Sequence, residues 1–343
     1  MNRNILAIET SCDETAVSIV QDGKTVLSNV VATQIDVHQA YGGVVPEIAS
    51  RRHLNNILPV YLEAMKNSGL TMNNLDAIAV TNGPGLIGSL LTGLSFAKAL
   101  AFSYDLPLIA VNHIVSHLYA AFIDNEDIEL PLIALIVSGG HTQIVYLEEH
   151  LQGRILGKTR DDAAGEAFDK IARRLGLGYP GGPEIQKIAN SGKKDAFVFP
   201  VAFANEDTLE FSFSGLKSSV INVIHNYEQK NEQVPVADIA RGFQGAVVEA
   251  LVGNTLKAVE KIPVKNVILA GGVAANLMLR EELQAGLDKM GVKLHYPNIK
   301  YCTDNAAMVG AAAYHYYGSG KFADLGTDAY SHNNEGEVFE SVD

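Results

Sequence analysis

Two histidines, His113 and His117, stand four residues apart in Asn112-His113-Ile114-Val115-Ser116-His117, at the head of the apolar run Leu118-Tyr119-Ala120-Ala121-Phe122. On an α-helix that spacing stacks both imidazoles on one face, the geometry that two metal ligands from one element require. The zinc-protease pattern HExxH needs a glutamate after the first histidine to act as general base. That position is Ile114 here. A metal at this pair would therefore hold or polarise a substrate rather than activate water for peptide cleavage. The bland alternative is a pair of buried or capping histidines, so the surrounding sequence has to decide.

The elements that must position such a pair repeat. Ile5-Leu-Ala-Ile8, the polar acidic turn Glu9-Thr-Ser-Cys-Asp-Glu14 and Thr15-Ala-Val-Ser-Ile-Val20 read as two buried strands around a turn. The same pattern returns 128 residues later in Ile133-Ala-Leu-Ile-Val137, Ser138-Gly-Gly-His141 and Thr142-Gln-Ile-Val-Tyr-Leu147. A second pattern also occurs twice. Asp76-Ala-Ile-Ala-Val80 leads through Asn82-Gly-Pro-Gly85 into a helix from Ile87 to Ala101, and Val267-Ile-Leu-Ala270 leads through Gly271-Gly272 into a helix from Ala274 to Leu287. A strand, a Gly-rich turn and a helix aim backbone N–H groups and a helix dipole at an anion. The order predicts a duplicated α/β architecture: residues 1–128 as a first lobe, 129–305 as a second, and a ligand cleft between facing turns.

A helical insertion is expected at about 160–235, opening with Arg160-Asp161-Asp162 and carrying Lys170, Arg173 and Arg174 at i, i+3, i+4 spacing. A small-residue helix from about 306 to 325 is expected to pack back on the first lobe, and 331–343 to form a frayed acidic tail.

Composition narrows the function. A net charge of −13 over 343 residues argues against a free-standing nucleic-acid binder, because phosphate contacts favour a basic surface. Cys12 and Cys302 are the only cysteines, which fits a reducing compartment. Glu9 follows the apolar stretch Ile5 to Ile8 too soon for a signal-peptide core, and no stretch approaches the ~20 continuous apolar residues of a membrane span. A soluble cytoplasmic protein is expected, with no membrane partner.

Eight ordered motifs then make a resemblance specific. Glu9-Thr-Ser-Cys-Asp-Glu-Thr15, Asn82-Gly-Pro-Gly85, His113-x₃-His117, Val137-Ser-Gly-Gly-His-Thr142, Gly181-Gly-Pro183, Phe211-Ser-Phe-Ser-Gly-Leu-Lys217, Gly271-Gly-Val-Ala-Ala-Asn276 and Thr303-Asp304-Asn305 together resemble the TsaD (Gcp or Kae-type) family, over about residues 4–330. The resemblance implies the actin/Hsp70/sugar-kinase (ASKHA) superfold of two ribonuclease-H-like lobes. It implies transfer of a threonylcarbamoyl group from threonylcarbamoyl-adenylate to the exocyclic amine of the adenosine just 3′ of the anticodon in tRNAs reading ANN codons, with release of AMP.

By the same resemblance, His113, His117 and Asp304 are the metal ligands, Asp304 coming from the opposite lobe, and one divalent ion is expected per subunit. Two imidazoles and a carboxylate suit Fe, Zn or Mn comparably, and the resemblance favours Fe²⁺. Ile136, Val137, Ser138, Gly139 and Gly140 hold the substrate, with the two glycines presenting amides to the phosphate. Asp169 and Gly182 touch the ribose and Asn276 the adenine end, while Ser11, Asp13 and Glu14 face the reactive centre. Two departures from the family pattern are visible: Gln186 stands where many members carry an aspartate, and Val115-Ser116 where many carry an acid and a small residue. The implied partners are tRNA, a TsaB-like paralogue docking on the first lobe and a TsaE-like ATPase. The competing readings are an ATPase or kinase of the same superfold, a metalloendopeptidase, which Ile114 argues against, and a non-enzymatic scaffold subunit.

Overall fold

In the computed structural model, residues 2–125, 127–204, 206–332 and 339–341 are described. The first sheet contains β1 (Asn4–Glu9), β2 (Glu14–Gln21), β3 (Thr25–Thr33), β4 (Ala77–Gly83) and β5 (Leu108–Asn112), in the order β3-β2-β1-β4-β5. The second contains β6 (Leu132–Val137), β7 (Thr142–Glu149), β8 (Gln152–Lys158), β9 (Asn266–Ala270), β10 (Lys293–His295) and β11 (Glu340–Ser341), in the order β10-β9-β6-β7-β8-β11. Leaving β11 aside, the second order is the first one repeated. In each sheet the opening strand pairs antiparallel with the next and parallel with the strand that follows the helical excursion. The duplication read from the motifs is thus a duplication of strand order.

The chain divides into two compact units, Met1–Ile128 with Glu149–Gly153 and Tyr296–Glu340, and Glu129–Glu148 with Arg154–His295 and Ser341–Asp343. In the first unit β1 is buried on both faces, as its unbroken apolar sequence requires. Alternation sends Leu6 and Ile8 into a cluster with Ile57, Val60 and Ala64 of the helix Pro46–Ser68 and Leu94 and Ala97 of the helix Ile87–Tyr104. Fully burying each of the Leu, Ile and Val side chains contributes about 1.5–3 kcal/mol. Ala7, on the other face, meets the helix Ala306–Gly318 so closely that a Cβ on Gly310 would stand 2.5 Å from Val20 Cγ2 and 3.3 Å from the Ala7 Cβ. Any larger residue at 310 would force that helix off the sheet.

The helix Ile87–Tyr104 is, among the described residues, the one helix long and apolar enough by length and composition to span a membrane. Here its Leu90, Leu94, Ala97 and Ala101 are buried.

In the second unit Gly271 adopts φ 91°, and a Cβ there would lie 2.3 Å from the Val137 carbonyl oxygen. The ends of β6 and β9 can approach this closely only with glycine at that position. The predicted helix from Ala274 is split into a short 3₁₀ turn, Gly272–Ala275, and a helix Leu277–Asp288, because Asn276 leaves helical geometry to cap the second. The insertion supplies the helices Ala164–Arg174, Gly181–Ala189 and Ser214–Gln229. Arg160–Ala163 is not helical: Asp161 accepts from Ser212 Oγ, Phe213 N and Ser214 Oγ, pinning the strand-like Phe211 segment at the entry of the third helix. Of the predicted tail, 333–338 and 342–343 lie outside the described residues, and Glu340–Ser341 form β11 rather than a frayed end.

Candidate metal centre and acidic loop

The histidine pair is delivered by β5. Its last residue, Asn112, accepts the backbone N–H groups of Ile114 (2.9 Å) and Val115 (3.1 Å) on Oδ1 and so starts the helix His113–Tyr119. His113 and His117 stack as the spacing predicts, with ring centroids 4.7 Å apart, and both are buried. Asp304 sits in the turn before the helix Ala306–Gly318, whose own cap is Asn305, accepting Met308 N. Asp304 Oδ1 lies 3.2 Å from His117 Nε2 and 3.7 Å from His113 Nε2.

These three residues offer ligand atoms that all lie within 4.8 Å of one another. Donors about 2.1 Å from one ion stand roughly 3–4 Å apart, so the spacing fits a shared cation. A second observation agrees. Both ring nitrogens of His117 are buried without a hydrogen-bond partner among the described residues, although Nε2 is only 3.2 Å from Asp304. Close approach without hydrogen-bond alignment is what side chains aimed at a common point produce. The structure therefore fits a divalent ion on His113, His117 and Asp304.

Asp304 belongs to the same compact unit as the histidines. This corrects the expectation that it comes from the opposite lobe, and moves the boundary expected at residue 305. The reason is that the chain leaves the second unit after β10, at His295, and the helix that follows Asp304 packs on β1 and β2.

Behind His113 stands Glu9, the last residue of β1 and fully buried. Glu9 accepts Ser11 N (2.6 Å) on Oε1 and Thr81 Oγ1 (2.6 Å) on Oε2, and the same Oε2 is 3.2 Å from His113 Nδ1. Ser11 Oγ is 3.1 Å from that nitrogen. Burial works against the His113 cation, yet the Asp304 and Glu9 carboxylates raise its pKa to about 9. Burial likewise works against the Glu9 anion, but the charge and hydrogen bond of His113 hold the carboxyl below its usual range.

The loop carrying Ser11, Asp13 and Glu14 is held from several sides. Ser11 O accepts Leu86 N–H at 2.8 Å, and a Cβ on Gly85 would collide with that oxygen at 2.6 Å. His53, buried on the helix Pro46–Ser68, brackets the loop, with Nδ1 2.8 Å from Thr15 Oγ1 and Nε2 2.9 Å from Cys12 O. Burial, helped by Asp304 and Asp13, pushes the Glu14 carboxyl well above the ordinary range. Sequence reasoning missed Glu9 and His53 as functional. The signals were an acid continuing a buried strand, and a histidine on the Ile57, Val60, Ala64 stripe.

The remaining expected residues lie in the second unit. Ile136 and Val137 end β6 and are buried, and Ser138 closes a tight turn in which Ser138 N donates to His141 O (2.8 Å) and His141 N to Ser138 Oγ (3.2 Å). At Gly139, Gly140 and Gly182 a Cβ would meet no described residue beyond its immediate chain neighbours and its own helix. Asp169 accepts Gly181 N at 2.7 Å, which starts the helix Gly181–Ala189 three residues before Glu184. Asn276 accepts Leu279 N (3.0 Å) and donates to Gln244 Oε1 (3.1 Å), while Gln186 accepts Leu277 N (2.7 Å). Lys170 pairs with Asp162 and Glu166, and Arg174 with Glu228. Two of the three cations expected to form a basic set are therefore neutralised locally.

Comparison with solved structures defines the class first. The chain superposes on T. kodakarensis HypF with a TM-score of 0.64 at 18% identity, covering 93% of this chain and 48% of that one. It superposes on the (R)-2-hydroxyglutaryl-CoA dehydratase component A of Acidaminococcus fermentans with a TM-score of 0.54 at 14% identity, covering 93% and 98%. At such identities the likeness is one of fold alone, and the fold is α/β of the ASKHA type, as the family resemblance implied.

The family follows from sequence. The family described as TsaD, tRNA N6-adenosine threonylcarbamoyltransferase, matches residues 25–311. A tRNA N6-adenosine threonylcarbamoyltransferase of Moorella thermoacetica is 54% identical over 326 residues, 95% of each chain. Enzymes of the same name are 51% identical in Staphylococcus saprophyticus, over 96% of this chain and 95% of that one, and in Clostridium perfringens, over 97% and 98%. The chain belongs to the TsaD family.

Proposed function

We propose that this transferase moves a threonylcarbamoyl group from threonylcarbamoyl-adenylate to the N6 amine of the adenosine 3′-adjacent to the anticodon in tRNAs reading ANN codons, forming t6A and releasing AMP. Family membership supports a threonylcarbamoyltransferase acting on tRNA. The observation that carries the chemistry is the cluster of His113, His117 and Asp304 in one unit with the acidic loop. When bound there, a divalent ion, Fe²⁺ in our reading with Zn²⁺ or Mn²⁺ suited by the same donors, supplies Lewis acidity and open coordination positions for a threonyl carbamate.

The donor is already an activated anhydride, so the chain's residues need only position a weak amine, take its proton and accept the leaving phosphate. The N6 nitrogen attacks the carbamoyl carbon, the bond from that carbon to the phosphate oxygen breaks, and AMP departs with the electron pair. Glu14, whose carboxyl is pushed well above the ordinary range by burial and by the neighbouring Asp304 and Asp13, is the residue we assign as acceptor of the amine proton. Ser11 sits between the loop and His113. In the second unit we assign Ile136, Val137, Ser138, Gly139 and Gly140 to the adenylate's phosphate side, where the absence of side chains at the glycines lets backbone amides approach. Asp169, Gly182 and Asn276 are assigned to the nucleoside.

Features of the surface support partner subunits. Leu54, Leu58 and Leu62 form an exposed row on the helix Pro46–Ser68, and Ile87, Leu91 and Phe102 are exposed on the helix it packs against. Exposed apolar residues on two packed helices support docking of a TsaB-like paralogue on the first unit. The net charge of −13 supports helper subunits completing the tRNA surface, with a TsaE-like ATPase resetting the complex. A tRNA substrate supports a cytoplasmic location.

The test is a single-turnover reaction with purified partners, synthetic threonylcarbamoyl-adenylate and unmodified ANN-reading tRNA. Modified adenosine and AMP should appear together, with no ATP consumed in the transfer. Formation of ADP and phosphate from ATP, with no threonine label entering tRNA, would replace this function by that of an ATPase.

A further inference from the structure

We infer that Glu9 is a positioning residue that keeps a proton on His113 Nδ1 and so presents Nε2 as a lone pair toward the site shared with His117 and Asp304. The inference rests on reading those three residues as metal ligands. Its geometry is independent of that reading. Both Glu9 oxygens already accept, Oε1 from Ser11 N–H and Oε2 from the Thr81 hydroxyl, so an oxygen 3.2 Å from Nδ1 calls for a hydrogen on that nitrogen. Ser11 Oγ, 3.1 Å away, can turn to accept the same hydrogen. Glu9 itself cannot turn, because Oε1 is fixed by the backbone N–H of Ser11 at 2.6 Å and Oε2 by the Thr81 hydroxyl at 2.6 Å. The arrangement is a carboxylate behind a ligating imidazole, which fixes ring orientation and raises ligand basicity.

The substitution Glu9→Gln tests this sharply, because the surroundings dictate how the amide must lie. The Ser11 N–H requires an acceptor, so the amide oxygen takes the place of Oε1. The NH₂ group then takes the place of Oε2, facing Nδ1, and the Thr81 hydroxyl can rotate to accept from it. A donor now confronts Nδ1, the ring's proton is driven to Nε2, and the nitrogen that should face the metal is blocked. Glu9→Ala removes the acceptor without installing a donor, leaving His113 free to choose its tautomer.

Full-length wild type, Glu9→Gln and Glu9→Ala, prepared metal-free and titrated with Zn²⁺ against a chromophoric chelator, should rank wild type tightest, alanine next and glutamine weakest. The glutamine variant should lose about 10–100-fold in affinity. In the Zn²⁺-loaded wild type, ¹⁵N-histidine NMR should show a protected Nδ1–H on His113, identified by its absence in His113→Ala. Thermal melts establish that each variant is folded. A merely space-filling Glu9 predicts the opposite ranking, with the isosteric glutamine near wild type and alanine worst. That ranking, or glutamine affinity equal to wild type with Nδ1–H retained, overturns the inference alone. A folded wild type that takes up no Zn²⁺ overturns the ligand reading, and the inference with it.

Discussion

His113 is under opposing demands: burial favours the neutral ring, while Asp304 and Glu9 draw a proton onto it and raise its pKa to about 9. A metal ion has to displace that proton from Nε2, so loading should release about one proton per site at neutral pH. Calorimetric titrations in two buffers of different ionisation enthalpy will measure it, and Asp304→Asn should diminish the release. The metal-free chain carries a corresponding stability signature. A raised histidine pKa contributes stability that is complete below about 6.5 and lost as pH rises through about 9, so its melting temperature should fall across that window. At the neighbouring loop, Asp13 is among the charges that raise Glu14. Asp13→Asn should therefore shift the acid limb of the transfer's pH profile to lower pH, whatever it does to the maximal rate. A limb that stays in place would remove Glu14 from the proton-accepting role.

At the scale of elements, several residues that the motifs mark as ligand contacts also start helices. Asp169 caps the helix Gly181–Ala189 and Asn276 the helix Leu277–Asp288. Truncating either to alanine should cost about 1 kcal/mol of stability in addition to any loss of substrate affinity, measurable by denaturant unfolding. The exposed row on the helix Pro46–Ser68 carries another expectation. Leu58→Asp should abolish docking of the TsaB-like subunit in a pull-down while leaving the melt of the isolated chain within a degree or two, since Leu58 is exposed. Strand order, Gly-rich turns and the histidine helix were legible because each depends on local pattern: uninterrupted apolar strands, glycine where backbones meet, and i, i+4 stacking. The fates of Lys170 and Arg174 were not, because Asp162 and Glu228 reach them only through tertiary packing. Glu9 was visible as an acid at the end of a buried strand, but its partner lies 104 residues away along the chain.

At the scale of the molecule, the feature least visible in the sequence is that Asp304 returns to the first unit after the chain has traversed the second. The candidate metal site is therefore internal to one unit, and lesions in the other should spare it. Asn276→Ala should retain one ion per chain by elemental analysis while losing affinity for the adenylate. Loss of the ion would mean that the second unit is required to form the centre. The same chain path has a meaning during translation. His113 and His117 leave the ribosome about 190 residues ahead of Asp304, and the face of β1 and β2 that receives Gly310 stays bare until the helix carrying Gly310 has been made. Polypeptides released early by a stop codon between residues 118 and 303 would carry two of the three donors and no covering helix. Products terminated before Asp304 should therefore emerge from purification without the divalent ion that chains extending through it retain.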